Sequence, residues 1–443
     1  MFVSEALNVN QEGHLSIGGC DCVSLAESYG TPVYVMDESL IRKRCRQYRN
    51  ALKACYGDHG LILYASKAFC CRAMCEMAAS EGLGLDVVSG GELYTAQLAG
   101  FPMDRVYFHG NNKTADEIRM ALRLNIGRFV VDNREELVLL NRLAGEAGKT
   151  AEVSFRIKPG IDAHTHDFIM TGQIDSKFGF ALENGEAAAI VKEAAGMPHI
   201  HIQGVHAHIG SQIFERTPFE KAAEVLLQFM NQVRQAFGIT MTELNLGGGY
   251  GIKYIQEHDP LDYHVYIEAV SGVIRGVCDN LDFPVPFILM EPGRSIVASA
   301  GITLYTVGSV KEIRNIRTYA SVDGGMTDNP RYALYGAAYE AILAAAPTAE
   351  KIRPVTIAGR CCESGDIIIK DIMMPALSAG DILAVMATGA YNYSMASHYN
   401  RVPNPPVVLV REGTAALIIR GETYEDLIRN DLPYPRSGSG RKD

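Results

Sequence analysis

The chain has 443 residues, of which 47% are hydrophobic and 21% are charged, a composition typical of a globular protein with one large or two ordinary domains. Its formal net charge of −10, without a long basic run, argues against nucleic acid or an anionic membrane as a partner. No apolar run is long enough to span a bilayer, and the N-terminus does not resemble a secretory signal, so we expect a cytoplasmic protein.

Strands and helices are predicted to alternate from about residue 60 to Glu291. Each unit pairs a short strand rich in β-branched or aromatic residues with a segment whose apolar residues are three and four apart. The predicted strands are LILYASK, LDVVS, RVYFHG, RFVVD, AEVSFRIK, HIQGVHAHI, ELNLGGG and PFILMEPG. Eight such units predict a parallel (β/α)8 barrel of the TIM type. A doubly wound sheet is the alternative, but the first strand lacks a G-x-G-x-x-G turn.

After Glu291 the sequence changes to short strand-like runs separated by glycine and proline, which predict a β-rich region. These runs are ITLYTVGSVKEI, TYASVDGG, RPVTIAG, DIIIKDIMMP, DILAVMATG, PVVLV and AALIIRG. The first 35 residues also read as strands and loops. We therefore predict an α/β protein with a barrel over residues 36–291 and a second, β-rich domain formed by residues 1–35 with 292–443. The last nine residues, PRSGSGRKD, are predicted to be a loose tail.

Reactive residue types collect where the predicted barrel strands end, which is where barrel enzymes carry their catalytic residues. These residues are Lys67, the HGNNK segment, His206, His208 and Ser211, Gly247 to Gly249, and Glu291 to Arg294. This clustering is stronger evidence for an active site than any single motif, because each residue alone has an ordinary structural explanation. Lys67 could be a solvated lysine, the glycines a tight turn, and Glu291 a helix cap or the ion-pair partner of Arg294.

Together, these residues match the requirements of pyridoxal phosphate. Lys67 supplies an amine for a Schiff base, and the bare backbone of the glycine turn, with the hydroxyl of Ser211, suits a phosphate. Glu291 could hold a ring nitrogen protonated, and His208 could stack on the face of the ring. The strand ends therefore predict one cofactor, pyridoxal 5'-phosphate.

A metal site is the alternative for His206 and His208, because H-x-H on a strand directs both rings to one face. Barrel metallohydrolases usually carry this pair on the first strand rather than the sixth, and Glu291 is the only suitable carboxylate at a later strand end. We therefore expect no metal. His164, His199 and His201 are predicted to be loop or surface residues.

The ten cysteines contain no C-x2-C pair, so they do not predict a zinc site, and most are expected to be buried thiols. The exception is GRCCESGDIII, residues 359–369, where Cys361 and Cys362 precede Glu363 and a short apolar strand. From residue types alone, this stretch could serve a disulfide, a metal, a redox sensor or acid–base chemistry.

Motifs over residues 60 to 393 resemble those of the diaminopimelate decarboxylases, pyridoxal-phosphate enzymes with an alanine-racemase-like barrel and a C-terminal β domain. The matching motifs, in order, are YASKA, LDVVSGGEL, HGNNK, SKFG, GVHAHIGSQ, NLGGGYG, MEPGRS, DGGMTDNPR, ALYG, CESGD and TGAY. Cys361 and Tyr332 depart from the family pattern. The resemblance implies decarboxylation of meso-diaminopimelate to L-lysine and CO2, the last step of lysine biosynthesis.

The resemblance also implies a role for each matching residue. Lys67 would carry the cofactor, with His208 against the ring and Glu291 at the ring nitrogen. The remaining cofactor contacts would come from Ser211, Gly248, Gly249, Pro292, Gly293, Arg294 and Tyr391. The substrate would be held by Arg294, Arg331, Tyr335, Glu363 and Tyr391. Cys362 would deliver a proton, acting in the barrel of the other subunit of a homodimer, and Cys361 would be a bystander.

The residue types favour this substrate over its relatives. A distal carboxylate calls for arginine and a distal ammonium for a glutamate, and meso-diaminopimelate carries both. A decarboxylase of ornithine, arginine or carboxynorspermidine remains the nearest alternative. A racemase is less consistent with a carboxylate at the ring nitrogen, and a non-catalytic cofactor carrier would have little use for Arg331, Cys362 and Glu363.

Overall fold

The computed structural model describes residues 2–161 and 176–434, so His164 and the tail of residues 435–443 lie outside the described part of the chain. Its strands, in chain order, are β1 (Leu7–Val9), β2 (Leu15–Ile17), β3 (Cys20–Asp21), β4 (Val33–Asp37), β5 (Gly60–Ala65), β6 (Gly84–Val87), β7 (Val106–Phe108), β8 (Arg128–Val131), β9 (Ala151–Lys158), β10 (Phe180–Ala181), β11 (Ile200–His206), β12 (Glu243–Asn245), β13 (Phe287–Met290), β14 (Gly301–Ile313), β15 (Arg317–Val322), β16 (Ala341–Leu343), β17 (Arg353–Ala358), β18 (Ile367–Met374), β19 (Ile382–Met386), β20 (Val407–Arg411) and β21 (Thr414–Ile419).

The α-helices lie mainly between the barrel strands. In chain order they are α1 (Cys22–Tyr29), α2 (Glu38–Tyr56), α3 (Arg72–Ser80), α4 (Gly90–Leu98), α5 (Ala115–Leu124), α6 (Arg134–Glu146), α7 (Glu186–Ala195), α8 (Thr217–Phe237), α9 (Tyr263–Leu281), α10 (Arg294–Val297), α11 (Arg331–Tyr335) and α12 (Tyr424–Ile428). Many begin at a side chain that accepts a backbone N–H, as Asp37 does for α2 and Thr114, in a capping box with Glu117, does for α5. Such a cap stabilises a helix by about 1 kcal/mol.

Eight parallel strands close into a barrel, which confirms the prediction. The order is β5-β6-β7-β8-β9-β11-β12-β13, and β13 pairs back to β5. This last pairing excludes the doubly wound sheet, which would leave two open edges. Each of the eight predicted strand segments overlaps one of these strands, with starts that agree to within one residue.

Inside the barrel, beneath the carboxyl ends of the strands, a small apolar cluster packs beside a buried ion pair. Leu63, Tyr107 and Leu289 form a buried cluster, and Arg128 Nε donates to Glu243 Oε2 at 2.8 Å beside it. Side chains two residues apart on a strand share a face, so the next inward layer is set by the sequence. His109 follows Tyr107 by two residues, and Glu291 follows Leu289 by two residues. Both therefore belong to the next layer, which is nearer the carboxyl ends of the strands.

The second region is β-rich, as predicted, and it includes a strand from the N-terminal part of the chain. Its main sheet has the order β18-β17-β15-β14-β4-β20-β21, with β19 paired to β14 and β16 paired to β19. Strand β4 pairs antiparallel with β14 and parallel with β20. The chain therefore passes from this sheet into the barrel through α2 and returns to it through β14. Within the described residues, no helix has the length and apolar character needed to cross a bilayer.

Candidate active site

A cavity of about 780 Å³ opens at the carboxyl ends of the barrel strands and is completed by residues of the β-rich region. It brings together most of the residues singled out from the sequence. Those that line it are Lys67, His208, Ser211, Gly248, Gly249, Glu291, Gly293, Arg294, Arg331, Tyr335 and Tyr391. Pro292 lies behind this wall and accepts a 3.1 Å hydrogen bond from the backbone of Ala65 through its carbonyl. Cys362 and Glu363 do not line the cavity.

Lys67 enters the cavity from a short 3-10 turn, Ser66–Ala68, that follows β5. The β-rich region fixes this turn, because the carbonyl of Ala68 accepts hydrogen bonds from the Tyr391 backbone at 2.8 Å and from the Ser394 hydroxyl at 3.2 Å. Tyr391 has a positive φ of 65°, a conformation that is uncommon for a tyrosine and here turns its ring into the cavity wall. The lysine and Tyr391 are thus positioned by the same contact.

The glycine turn after β12 approaches the end of β13 too closely for any side chain. A Cβ at Gly248 would lie 2.1 Å from the carbonyl oxygen of Glu291, and Gly249 has a φ of +118°. The Gly248 N–H donates to Nδ1 of His208 at 3.3 Å. Backbone amides and a bare turn therefore form one end of the cavity, next to His208.

Glu291 is buried at the bottom of the cavity and is contacted by three side chains. His206 Nε2 lies 3.0 Å from Oε2, Asn245 Nδ2 donates to Oε1 at 2.6 Å, and His109 Nε2 lies 2.9 Å from Oε1. Burial by itself raises the pKa of Glu291, but its interactions with His109 and His206 outweigh burial and hold that pKa well below the ordinary value. Glu291 is therefore a carboxylate.

His206 and His208 play different parts, and they do not form the chelating pair considered from the sequence. His206 contacts Glu291 beneath the cavity, whereas His208 lines the cavity itself and is not among the residues whose ligand atoms cluster with those of His206. Burial lowers the pKa of His206 to about 4. Burial, followed by the charges of Lys67 and Arg156, lowers the pKa of His208 well below its ordinary value. Both rings are therefore neutral at pH 7.

Arg294 and Arg331 are buried cations that donate hydrogen bonds to hydroxyl groups. Arg294 donates to Tyr254 at 2.7 Å and to Ser211 at 2.8 Å, and Arg331 donates to the Tyr339 hydroxyl at 2.8 Å. Among the residues that the structure describes, no carboxylate forms an ion pair with either guanidinium. Two buried charges without a counter-charge favour anionic ligands at this side of the cavity.

The CESGD loop lies on the surface of the chain, away from its own cavity. The exposed Cys362 donates through its backbone to Asn400 Oδ1 at 2.8 Å, and Glu363 is also exposed. Asp366 fixes this loop by accepting backbone hydrogen bonds from Cys361 at 2.7 Å and Met326 at 2.6 Å. Burial, and then the charge of Asp366, raises the pKa of Cys361 to about 11. All ten cysteines are free thiols, and most are buried as expected.

The cavity wall also contains residues to which the sequence analysis assigned no role, although some of them lie in its motifs. They include Asp86, Arg156, Lys177, Phe178 and Tyr254. Asp86 carried a signal, since it is a charge inside an otherwise apolar strand. Tyr254 carried none, because it lies in a loop and reaches the site only through the fold of the chain after β12.

These residues fit pyridoxal phosphate by their own chemistry. One cavity holds a lysine amine, a bare glycine turn with adjacent hydroxyl and guanidinium donors, and a carboxylate that is ionised although buried. These are the groups needed for a carbonyl carbon, a phosphate and a protonated ring nitrogen. Buried polar atoms without a hydrogen-bond partner, including Asp86 Oδ1 and Ser66 Oγ, lie beside Lys67 and the cavity.

Comparison with known proteins agrees with this chemistry. Residues 38–298 match the family described as pyridoxal-dependent decarboxylase, pyridoxal binding domain. The chain is similar to proteins named diaminopimelate decarboxylase from Bacillus subtilis, at 50% identity over 98% of this chain and 99% of that protein, and from Halalkalibacterium halodurans, at 51% identity over 98% of each. A solved structure of diaminopimelate decarboxylase from M. jannaschii in complex with L-lysine has a TM-score of 0.92, at 36% identity, and covers 98% of this chain and 99% of that chain.

Proposed function

The chain belongs to the diaminopimelate decarboxylase family of pyridoxal-dependent decarboxylases, and we propose on that premise which of its residues carry out the reaction. The reaction removes CO2 from meso-diaminopimelate and yields L-lysine in lysine biosynthesis. The observation that carries the assignment of residues is the meeting of Lys67, Glu291 and two buried arginines without carboxylate partners in one cavity. Release of L-lysine and CO2 from meso-diaminopimelate, compared with ornithine, tests the substrate.

Pyridoxal phosphate, when bound, supplies a carbonyl carbon that condenses with amines and a protonated ring that accepts electrons as CO2 leaves. Lys67 would hold the cofactor covalently, because its amine can condense with a carbonyl carbon. The hydrogen bond from the Tyr391 backbone to the Ala68 carbonyl supports this role, because it fixes the turn that carries Lys67. Lys67 can also act as a base or acid near the reacting carbon.

Glu291 keeps the ring nitrogen protonated. Its carboxylate is ionised in a buried site, so it forms a strong charge-assisted hydrogen bond with an N–H placed against it. His208 would lie against the ring when the cofactor is bound, and its lowered pKa suits this role because a neutral imidazole does not compete with the ring for the negative charge of Glu291.

The phosphate end of the site is formed by Gly248, Gly249, Ser211 and Arg294. The two glycines present backbone rather than side chains, and Ser211 already accepts a hydrogen bond from Arg294 at 2.8 Å. An anion beside Ser211 would therefore receive a hydroxyl and a guanidinium together. Pro292 and Gly293 shape this wall, since a Cβ at Gly293 would lie 2.9 Å from the Cβ of Ala65.

Arg331, Tyr335 and Tyr391 hold the far end of the substrate. The guanidinium of Arg331 lies 6.0 Å from the centre of the Tyr391 ring. One of its nitrogens donates to Tyr339, so its other N–H groups remain for an anion other than the phosphate. Arg294 also contacts Tyr391, at 4.8 Å from its ring, and contributes to both ends of the site. A carboxylate on the substrate is the partner that such a fork prefers.

Cys362 returns a proton to the carbon that loses CO2, and Glu363 binds the distal ammonium of the substrate. Both side chains are exposed outside the cavity of their own chain, so we infer that they act in a second copy of the chain within a homodimer. The exposure of this loop, its firm attachment through Asp366, and the high pKa of Cys361 support Cys362 as the reactive thiol.

We propose two domains, with the barrel over residues 36–291 and the β-rich domain formed by residues 1–35 with 292–443. The pairing of β4 with β14 and β20 supports an N-terminal contribution to the second domain. Ten free thiols and a biosynthetic reaction support a cytoplasmic location.

A further inference from the structure

The layer beneath the cavity contains an arrangement of side chains that contact Glu291 without lining the cavity. Glu291 and Asp86 face the cavity, whereas His109, His206 and Asn245 lie behind them. All five side chains are buried. His109 and His206 meet edge to face, with ring centres 4.7 Å apart. Neither histidine lines the cavity, and both lie within 3.0 Å of Glu291, so Glu291 is the direct route by which they can act on a ligand.

Side chains contact both oxygens of the Glu291 carboxylate. A carboxylate has about four acceptor positions. Asn245 donates to Oε1, which His109 also approaches, and His206 contacts Oε2, so Oε2 has fewer neighbours and keeps an acceptor position for a group in the cavity that Glu291 lines. His206 must donate through Nε2, because its ring is neutral and the carboxylate is ionised, and its buried Nδ1 then lacks a partner.

His109 lies between two carboxylates. Its Nε2 is 2.9 Å from Glu291 Oε1 and 3.8 Å from Asp86 Oδ1, yet it is not aligned as a hydrogen bond to either, and Asp86 Oδ1 has no hydrogen-bond partner. Burial raises the pKa of Asp86 above its ordinary value. Arg156, which also lines the cavity, is the further charge that acts on both carboxylates.

We propose that His109 and His206 are positioning residues that hold Glu291 ionised and aimed, so that its remaining acceptor position meets the ring nitrogen of the cofactor. This inference rests on the proposed role of Glu291. Imidazole rings suit this task, because they are rigid and can hold the carboxylate in place while an acceptor position stays open towards the cavity. Their contribution is to the protonation of the cofactor rather than to contact with substrate.

A metal ion is the competing explanation, because ligand atoms of His109, His206 and Glu291 all lie within 4.8 Å of one another. A metal would need a deprotonated nitrogen from each ring and would place a positive charge where the pyridinium is expected. Elemental analysis of purified holoenzyme distinguishes the two. One equivalent of bound metal that disappears in the histidine variants would overturn the proposal.

The test compares leucine and glutamine at both positions, with His201→Leu as the control on the same strand. His201 is exposed and contacts Glu152 rather than Glu291. Leucine removes the imidazole N–H, whereas glutamine can place an amide N–H near the position that Nε2 of the histidine occupies. Each protein is loaded with pyridoxal phosphate isotopically labelled at the ring nitrogen, and nitrogen NMR across a pH series reports whether that nitrogen carries a proton.

We expect the ring nitrogen to be protonated at neutral pH in the unmodified enzyme and in His201→Leu. In the His109→Leu/His206→Leu double variant, its protonation constant should fall by about tenfold or more, and the glutamine variants should recover part of that loss. An unchanged protonation constant in folded leucine variants would overturn the proposal while leaving the proposed function intact. Failure of the unmodified protein to bind the cofactor would instead count against the proposed function.

A second measurement needs no variant. Histidine-ring NMR of the unmodified protein without cofactor should show His206 neutral, protonated at Nε2, throughout pH 5 to 8, because its pKa is lowered to about 4. A charged His206, or the opposite tautomer, would contradict the proposal even if every leucine variant failed to fold.

Discussion

Arg294 donates a hydrogen bond of 2.7 Å to the hydroxyl of Tyr254, at the side of the cavity where an anion is expected. The ring of Tyr254 also lies 5.1 Å from the guanidinium of Arg331. Burial tends to raise the pKa of this tyrosine, but the two arginines outweigh burial and lower it. Tyr254 therefore contacts both cations, as Tyr391 does, and it also accepts a hydrogen bond from Arg294.

Replacement of Tyr254 by phenylalanine is expected to reduce kcat/KM for meso-diaminopimelate by about ten- to a hundredfold, since a buried hydrogen bond to a charged group contributes about 1.5–3 kcal/mol. Steady-state kinetics with saturating cofactor measure the change. Tyr107→Phe is the control, because Tyr107 is also a buried barrel tyrosine beside an arginine but lies beneath the cavity. Equal losses in the two variants would indicate a general effect on the barrel instead.

Arg331→Ala is expected to lower kcat/KM for meso-diaminopimelate by about a hundredfold or more, because the distal carboxylate loses its bidentate partner. Decarboxylation of D-lysine, which keeps the reacting centre of meso-diaminopimelate but lacks the distal carboxylate, should hardly change, so the preference between the two substrates narrows. Arg317→Ala removes an exposed arginine of the β-rich region that pairs with Asp371, and it should alter neither rate. A parallel loss on both substrates would place Arg331 at the cofactor rather than at the substrate.

The two neighbouring thiols should behave differently. Cys362→Ala is expected to reduce turnover by about a hundredfold or more, as for the loss of a general acid, whereas Cys361→Ala should have little effect. Cys361, with a pKa raised to about 11, is almost wholly protonated at pH 8 and gains reactive thiolate only as pH rises towards that value. Alkylation at pH 8 followed by peptide mass spectrometry should therefore label the exposed Cys362 first. Faster labelling of Cys361, or a larger loss from its replacement, would mean that the wrong thiol has been chosen.

A homodimer with shared sites predicts that two inactive variants restore activity when mixed. Lys67→Ala supplies an intact Cys362, and Cys362→Ala supplies an intact Lys67. After subunits exchange at equal concentrations, half of the dimers are mixed and each has one complete site, so about a quarter of the original activity should return. Mixing Lys67→Ala with Lys67→Ala/Cys361→Ala is the matched control and should stay inactive. No recovery after verified exchange would contradict the action of Cys362 across subunits.

Much of the fold was predictable because its signals are local. Strand and helix periodicities and the reactive residues at strand ends determine a (β/α)8 barrel and the position of its site, and the eight barrel strands lie where the sequence indicates. The closure of the barrel is not a local property, because it depends on pairing between β13 and β5, which are more than 200 residues apart.

The candidate site was predictable only where a residue follows a strand. Lys67, His208 and Glu291 carry that signal, and all line the cavity. Tyr254 reaches Arg294 through a long loop, and no spacing rule connects the two. From the sequence, His206 and His208 were an alternative metal pair, but in the structure His206 contacts Glu291 and His208 lines the cavity. The roles of Cys362 and Glu363 depend on a second copy of the chain, and they stay predictions.

The most direct test of the account is product analysis with the purified protein, reconstituted with pyridoxal phosphate and given meso-diaminopimelate, ornithine or arginine in separate reactions. Release of CO2 and L-lysine in equal amounts from meso-diaminopimelate, with little release from the other two and none from Lys67→Ala, is the predicted result. Equal or greater release of CO2 from ornithine would contradict the assignment of Arg331 and Glu363 to a substrate with a distal carboxylate and ammonium.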